Sequence, residues 1–447
     1  MKSDNIFKEF KNIINENKKT YYRDYQNIKK EVNNSSAIYH GEPIDFLYQP
    51  MFYKKEDIYE FKNICDKLIE IFNKVIKKYK TDAEFRSYFR FPEVMEELIL
   101  ADPGYNYYFP VARFDLFYNQ NSIKFCEINT DGTSAMNEAR VLQNIFSESQ
   151  IIRNMEQEYN FDTFELFYSW IDKIIANYRQ FTQNKEVKPG VAIVDFRGEG
   201  TESEFKQFKK KFIEKGYQTV ICDPRELSYR NSTLYYGDFP VDLVYRRATT
   251  ARMVEEADNI QDFIRAYKNK DVCVVGGFTS QVIHNKIIFA ILHDRKKVSF
   301  LEDEEYEFIQ QYIPETYYLN GSNQKLLTKI ISNKDNYILK PCDWFACHGV
   351  YTGRDYTRNK WKQIIAESLE ENYIVQEYCQ VPQKEMLTIS EGDMYFEKYN
   401  YIIGVFLYNE ELNGIYTRAG RKNIIGTLVE SFTLPNFVVS KKGDKHV

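Results

Sequence analysis

The chain has 447 residues, of which 43% are hydrophobic and 28% are charged, and its formal net charge is −5. This composition is typical of a globular protein of several domains, and the negative charge argues against nucleic acid or an anionic membrane as a partner. No run approaches the roughly 20 apolar residues of a transmembrane helix, and the seven scattered cysteines favour a reducing, cytoplasmic environment.

Residues 1–104 predict a helical amino-terminal region. Apolar residues recur there at intervals of three and four positions, most clearly from Ile58 to Val75. Lysine and glutamate occupy many positions between them, which indicates amphipathic helices. No catalytic group of residues stands out, so we interpret this region as a structural cap or as part of a substrate pocket.

Residues 105–186 begin with two apolar runs on either side of the sequence NQNS, which has the composition of a loop. This pattern predicts a β-hairpin. Two helices are predicted after it, over residues 134–148 and 163–181. The hairpin carries the clearest chemistry in the chain.

The hairpin is predicted to bring two carboxylates face to face. Side chains alternate between the two faces of a strand, so Arg113 and Asp115 share one face of the first strand. On the second strand, Glu127 and Asn129 share a face in the same way. A loop with an odd number of residues, for example 120–122, places Asp115 directly opposite Glu127.

Two opposed carboxylates repel each other unless a positive charge lies between them. Mg²⁺ suits this position, because it prefers oxygen ligands and usually binds one or two carboxylates together with phosphate oxygens and water. The side-chain carbonyl of Asn129 adds a neutral oxygen ligand. The alternative is a solvated hairpin face whose carboxylates pair with nearby lysines.

Residues 187–300 alternate short apolar runs with helix-like segments, which predicts a parallel sheet built from βαβ units. The predicted strands are residues 191–196, 219–224, 242–247 and 271–277. Arg246 and Arg247 end the third strand, at the edge where open α/β sheets usually bind ligands. Two arginines there suit a carboxylate or a phosphate, and the alternative is a surface salt-bridge pair. A helix is predicted over residues 281–293.

Residues 301–447 predict a second strand-rich region. Its predicted strands are residues 337–341, 350–353, 373–378, 401–408 and 414–420. The first ends in Lys340 and leads into a loop, an arrangement in which the lysine and the loop's backbone N–H groups can hold nucleotide phosphates. The third ends in Gln376, Glu377 and Tyr378, a pattern that suits a hinge in contact with adenine.

Together these motifs resemble the ATP-grasp ligases, which hold ATP between two β-sheet lobes. The resemblance covers most of residues 105–435, including RFD (113–115), CEIN (126–129), YILKP (337–341) and GIYTRAG (414–420). The acidic motif precedes the lysine and hinge motifs, the hallmark of the circularly permuted branch that includes glutathionylspermidine synthetase. The resemblance therefore implies an α/β, circularly permuted ATP-grasp fold with a pre-ATP-grasp-like parallel-sheet domain.

The resemblance also implies a role for each candidate residue, with residues 105–186 and 301–447 as the two parts of the ATP-grasp fold. Mg²⁺ would be bound by Asp115, Glu127 and Asn129. Phosphates or developing charge would be contacted by the catalytic residues Arg113, Arg418 and Lys340. ATP would be held by the phosphate lysines Lys286 and Lys340, the hinge residues Gln376, Glu377 and Tyr378, and Arg246 on the acceptor or phosphate side.

The loop at residues 341–349 departs from the family pattern. Relatives are typically glycine-rich there, whereas this chain has Trp344, Phe345, Ala346, Cys347 and His348 before its glycine. Bulky residues restrict the approach of backbone to a phosphate. We expect this loop to close over ATP with a different geometry or rate.

The activity that the resemblance implies is ADP-forming ligation of a carboxylate to an amine through an acyl-phosphate, with ATP and Mg²⁺. The acid and the amine would be small molecules or peptides. A small-molecule kinase and a non-catalytic ATP-binding protein are the alternatives. The sequence names neither substrate and leaves the oligomeric state open.

Overall fold

The computed structural model describes residues 4–119, 122–184, 188–344, 348–426 and 429–443. Within these ranges the chain has the mixed α/β fold that the sequence predicts. Its α-helices are Asp4–Glu16, Lys18–Asn33, Lys55–Thr81, Ala83–Ser87, Glu93–Leu100, Met136–Ser147, Gln150–Met155, Tyr168–Thr182, Glu202–Glu214, Thr250–Glu255, Gln261–Lys268, Gln281–His284, Ile287–Leu292, Asp303–Tyr312, Gln324–Ser332 and Arg358–Ser368. Short 3₁₀ helices are Pro224–Glu226, Ala257–Asn259, Phe278–Ser280, Lys334–Asn336 and Gly353–Asp355. No helix in the described ranges has the length and apolar character needed to cross a membrane.

A six-stranded antiparallel sheet, called the central sheet below, contains the hairpin. Its strands are Val111–Asn119, Ser122–Asn129, Gln383–Ser390, Asp393–Tyr408, Glu411–Gly420 and Phe432–Leu434. The first hairpin strand pairs along the strand Asp393–Tyr408, which in turn pairs with Glu411–Gly420. Residues from the carboxyl-terminal part of the chain therefore lie beside the hairpin.

The hairpin register confirms the prediction that Asp115 lies opposite Glu127, but the expected cause is wrong. Asn119 pairs with Ser122, so the connecting loop has an even number of residues, and these lie outside the described part of the chain. The pairing shifts by one position next to Asp115, which makes Cys126 the extra residue of a β-bulge. The bulge, and not the loop length, sets the two carboxylates face to face.

The helix Lys55–Thr81 covers the apolar face of the hairpin. It confirms the periodicity seen from Ile58 to Val75, and its side chains Phe61 and Phe72 are fully buried. The ring of Phe72 meets the ring of Phe114 on the hairpin edge-on, with centroids 5.9 Å apart. Because strand faces alternate, this packing turns the charged face of the hairpin away from the helix.

The predicted parallel sheet is also confirmed. Its strands, in spatial order, are Cys273–Val275, Leu243–Arg246, Val191–Val194 and Thr219–Cys222. A three-stranded antiparallel meander, which was not predicted from the sequence, is formed by Leu227–Arg230, Thr233–Tyr236 and Phe239–Val241.

A four-stranded antiparallel sheet, called the lysine sheet below, carries Lys340. In spatial order its strands are Thr316–Tyr318, Tyr373–Glu377, Tyr337–Pro341 and Tyr351–Thr352. Smaller sheets pair Ile38–Tyr39 with Glu42–Pro43, and Met51–Tyr53 and Tyr159–Asp162 with Asn436–Lys441.

The helix predicted over residues 281–293 is broken in the structure. It forms two short helices, Gln281–His284 and Ile287–Leu292, separated by Asn285, which is extended, and Lys286. The backbone N–H of Lys286 donates to the carbonyl of Cys342 at 2.8 Å instead of to the preceding helical turn. The break therefore ties Lys286 to the segment that follows the Lys340 strand.

Candidate functional site

Seven of the predicted site residues meet at the charged face of the hairpin and are called the charged cluster below. They are Arg113, Asp115, Glu127, Asn129, Lys286, Lys340 and Arg418. The hairpin contributes four of them. The broken helix, the lysine sheet and the central-sheet strand Glu411–Gly420 contribute one residue each. The fold thus joins segments that are distant in sequence at one place.

Asp115 is fully buried between two arginines. Arg113 donates to both of its carboxylate oxygens, at 2.6 and 3.0 Å, and Arg418 donates at 2.9 Å. The side-chain amide of Asn129 adds a fourth hydrogen bond at 3.3 Å. Three of these bonds reach Oδ2 and one reaches Oδ1, so protein donors bind both oxygens of the buried carboxylate.

Gly404, whose role is not evident from the sequence, makes this arrangement possible. Gly404 pairs with Asp115 across the central sheet. A Cβ atom at this position would lie 2.7 Å from Arg113 Cδ and 2.8 Å from Asp115 Oδ1. The missing side chain therefore leaves the space in which the arginine and the aspartate meet.

The ring of Tyr416 lies against the guanidinium groups of both arginines. This residue was likewise not identified from the sequence. The guanidinium carbons of Arg113 and Arg418 lie 5.5 and 5.7 Å from its ring centroid. Its hydroxyl donates to Glu138 at 2.8 Å, and burial raises the pKa of that carboxyl. The signal in the sequence is the spacing Tyr416-x-Arg418, which puts both side chains on one strand face.

Glu127 forms an ion pair with Lys286, with 3.1 Å between Oε1 and Nζ. Lys286 also donates to the carbonyl of Trp344 at 2.9 Å. Burial by itself raises the pKa of Glu127, but Lys286, Lys340 and Arg113 outweigh it and lower the pKa from 4.5 to about 2. About a third of the Glu127 side chain is exposed, so this carboxylate can meet a ligand.

Lys340 joins the lysine sheet to the hairpin. Its ammonium donates to the carbonyl of Cys126 at 3.0 Å and to the side-chain oxygen of Gln376 at 2.8 Å. Cys126 is the bulge residue, whose carbonyl is left outside the regular ladder. The structure therefore brings Lys340 next to the hairpin, as its expected role at an ATP site shared with the hairpin residues requires.

The three predicted hinge residues have different surroundings. Gln376 is 2% exposed and bonded at both ends of its amide. Glu377 is exposed, and its N–H donates to a backbone carbonyl at 2.8 Å. Tyr378 is half-buried, and its ring centroid lies 4.1 Å from the guanidinium carbon of Arg354. The assignment of these residues to adenine stays a prediction.

Arg246 does not join the charged cluster. Its side chain is 1% exposed, forms an ion pair with Asp131 at 2.7 Å and donates to the carbonyls of Gly276, Gly277 and Ala248. Arg247 is also buried and pairs with Glu204 at 2.9 Å. The alternative of a surface salt-bridge pair is therefore wrong, because both pairs are buried. The predicted role of Arg246 toward a ligand stays a prediction. In the structure its guanidinium N–H groups are directed to backbone carbonyls and to Asp131.

The charged cluster has more positive than negative charge. Its four cations, on two arginines and two lysines, face the carboxylates of Asp115 and Glu127. The excess of two positive charges suits an anionic ligand such as a polyphosphate, and guanidinium and ammonium groups are the usual phosphate donors.

The donor set also fits a magnesium ion beside that ligand. Glu127 offers a partly exposed carboxylate. Because the amide nitrogen of Asn129 faces Asp115, its side-chain oxygen is directed elsewhere. One carboxylate and one carbonyl, completed by phosphate oxygens and water, match the usual Mg²⁺ environment. Asp115 is less accessible to an ion in this geometry, because it is fully buried between Arg113 and Arg418, whereas Glu127 is partly exposed.

The loop at residues 341–349 is described only in part. Phe345, Ala346 and Cys347 lie outside the described residues, and so does the prediction about how the loop closes. Trp344 is half exposed, and its ring lies 6.4 Å from that of Tyr373.

Residues 25–438 of the sequence match the family described as glutathionylspermidine synthase preATP-grasp. A search of curated proteins gives no match. Among solved structures, a glutathione synthetase-like effector (GSS30) from Globodera pallida, in its apo form, is 10% identical, with a TM-score of 0.59 over 94% of this chain and 97% of that chain. D-alanyl-alanine synthetase A from Vibrio cholerae is 11% identical, with a TM-score of 0.29 over 57% of this chain and 88% of that chain. The first likeness bears on the fold alone, and the second is too low to support an argument.

Proposed function

We propose the following function for this chain, which belongs to the glutathionylspermidine synthase preATP-grasp family. The chain is an ATP-dependent ligase that joins a carboxylate to an amine. The observation that carries the proposal is the meeting of Lys286, Lys340 and Arg418 with the hairpin carboxylate Glu127. Such a group of charges serves a phosphoryl transfer, which needs positioning and charge neutralisation more than covalent help.

In the first step, an oxygen of the acid substrate attacks the γ-phosphorus of ATP, and the bond from that phosphorus to the ADP oxygen breaks. Lys340, Lys286 and Arg418 offset the charge on the transferred group. In the second step, the amine attacks the carbonyl carbon of the acyl-phosphate, phosphate leaves, and the nitrogen loses its proton. ADP, phosphate and an amide are the products.

Glu127 and Asn129 are the residues that would hold Mg²⁺. When bound, the ion supplies positive charge to the phosphate oxygens and orients them. Lys286 pairs with Glu127 in the structure, so it has to share or release this carboxylate when the nucleotide binds. Released from Glu127, the ammonium of Lys286 can turn to a phosphate.

The acid and amine substrates are small molecules or peptides, and the protein acts in the cytoplasm. Hydroxylamine capture separates this proposal from a kinase, since only an acyl-phosphate yields a hydroxamate with hydroxylamine. The full chain is incubated with ATP, MgCl₂ and hydroxylamine across a panel of amino acids, dipeptides and tripeptides. Hydroxamate formed with one acid or peptide supports a ligase. A phosphorylated product that resists hydroxylamine supports a kinase, and ATP binding without turnover supports a non-catalytic protein.

A further inference from the structure

Gln376 links Lys340 to the neighbouring strand of the lysine sheet. Its side-chain oxygen accepts from Lys340 Nζ at 2.8 Å, and its side-chain nitrogen donates to Thr316 Oγ1 at 2.9 Å. The hydroxyl of Thr316 donates in turn to the carbonyl of Pro314 at 2.7 Å. Thr316 is 1% exposed and Gln376 2%, so water does not compete for these bonds.

The chemistry of the groups fixes the direction of this chain. The carbonyl of Pro314 can only accept, so the single hydroxyl proton of Thr316 points to it. The hydroxyl oxygen of Thr316 then accepts, which turns the NH₂ of Gln376 toward it. An ammonium can only donate, so the oxygen of Gln376 faces Lys340. The contacts at both ends of the Gln376 amide therefore require the same orientation, with its oxygen toward Lys340 and its nitrogen toward Thr316.

The ammonium of Lys340 is thereby held at two points. Gln376 fixes it from the lysine sheet, and the bulge carbonyl of Cys126 fixes it from the hairpin. An ammonium donates three hydrogen bonds, so two neutral acceptors leave one donor and the whole positive charge for a ligand. Lys286 differs, because its partner Glu127 is an anion.

We propose that Gln376 is a positioning residue, which holds the Lys340 ammonium toward the phosphates of ATP and does not contact the adenine. The assignment rests on the proposed function. It replaces the hinge role that the sequence pattern suggests for Gln376, because the amide is buried and both of its ends are bonded to protein groups.

The test compares the affinity of the full chain for ATP and for adenosine, the latter measured by competition against ATP in calorimetry. Gln376→Leu is expected to weaken the affinity for ATP about tenfold, because the ammonium of Lys340 is no longer held toward the phosphates. The affinity for adenosine is expected to stay unchanged. Thr316→Val is expected to act in the same direction, because it removes the group that orients the amide. Thr316→Ser keeps the hydroxyl and is the matched control, expected to bind ATP like the wild type.

A second measurement decides the role if adenosine binds too weakly to compete. In a double-mutant cycle with Lys340→Met, adding Gln376→Leu is expected to cause no further loss of ATP affinity. Equally weakened affinities for ATP and adenosine, or additive losses of ATP affinity in the cycle, would overturn the role assigned to Gln376. Either result would leave the proposed function untouched. A wild-type chain that binds neither ATP nor ADP would instead contradict the proposed function.

Discussion

At the scale of single residues, the two facing carboxylates of the hairpin are in different environments. Asp115 is fully buried and accepts four hydrogen bonds, three of them from arginines. Glu127 is about a third exposed and is paired with one lysine. The first is suited to hold Arg113 and Arg418 in place, and the second to exchange its partner for a ligand.

Replacing Asp115 by Asn is expected to lower the free energy of unfolding by about 3–5 kcal/mol, because it removes the carboxylate that the buried Arg113 and the partly buried Arg418 share. Glu127→Gln is the matched comparison on the facing strand. It is expected to fold, to lose less stability than Asp115→Asn and to lose most turnover. Urea denaturation followed by circular dichroism gives the stabilities. Equal losses in the two variants, or full activity of Glu127→Gln, would contradict this division of roles.

The pKa of Glu127 also predicts how acid affects stability. Burial opposes ionisation, but the nearby cations lower the pKa from 4.5 to about 2. A lowered pKa in the folded chain stabilises it above pH 4.5, and this contribution is lost as the pH falls from 4.5 toward 2. The stability advantage of the wild type over Glu127→Gln should therefore shrink between pH 6 and pH 3, as measured by urea midpoints. An advantage that is equal at both pH values would show that Glu127 is not held ionised.

At the scale of the elements, strand and helix positions follow from periodicity, but irregularities do not. The strand Tyr337–Pro341 and the helix Lys55–Thr81 lie where the apolar pattern predicts them. The bulge at Cys126 and the helix break before Lys286 have no local sequence signal. The carbonyl of Cys126 accepts a hydrogen bond from Lys340, and the backbone N–H of Lys286 donates to the carbonyl of Cys342. Because these bonds join segments that are distant in the sequence, neither irregularity could be predicted from neighbouring residues.

The central-sheet strand under the cluster gives a prediction at this scale. Gly404→Ala places a methyl group within 2.8 Å of atoms of Arg113 and Asp115. We expect a loss of about 1–3 kcal/mol in unfolding free energy and weaker ATP binding, because the buried ion pair must shift. Gly321→Ala is the control, since its new Cβ meets no atom within 4 Å. Wild-type stability and ATP affinity in Gly404→Ala would show that this close approach does not matter.

At the scale of the whole molecule, the family and the α/β fold class follow from motif order, and both are confirmed. The permuted connectivity and the domain boundaries stay predictions. The seven cluster positions were also identified from the sequence, the four on the hairpin from the alternation of side chains along a strand, and Lys286, Lys340 and Arg418 from motifs that resemble those of the family. Arg246 shows the limit of this reasoning, because a strand-end arginine can equally be buried by a partner from another element, here Asp131.

The identity of the phosphorus products decides whether the charged cluster is the active site of an ADP-forming ligase. The full chain is incubated with ATP and MgCl₂, with the acid selected by hydroxylamine capture and a panel of amines, and the phosphorus products are followed by ³¹P NMR. We predict that ADP and phosphate form only when both acid and amine are present, and that neither forms with Glu127→Gln. Release of AMP and pyrophosphate, or unchanged turnover in Glu127→Gln, would contradict it.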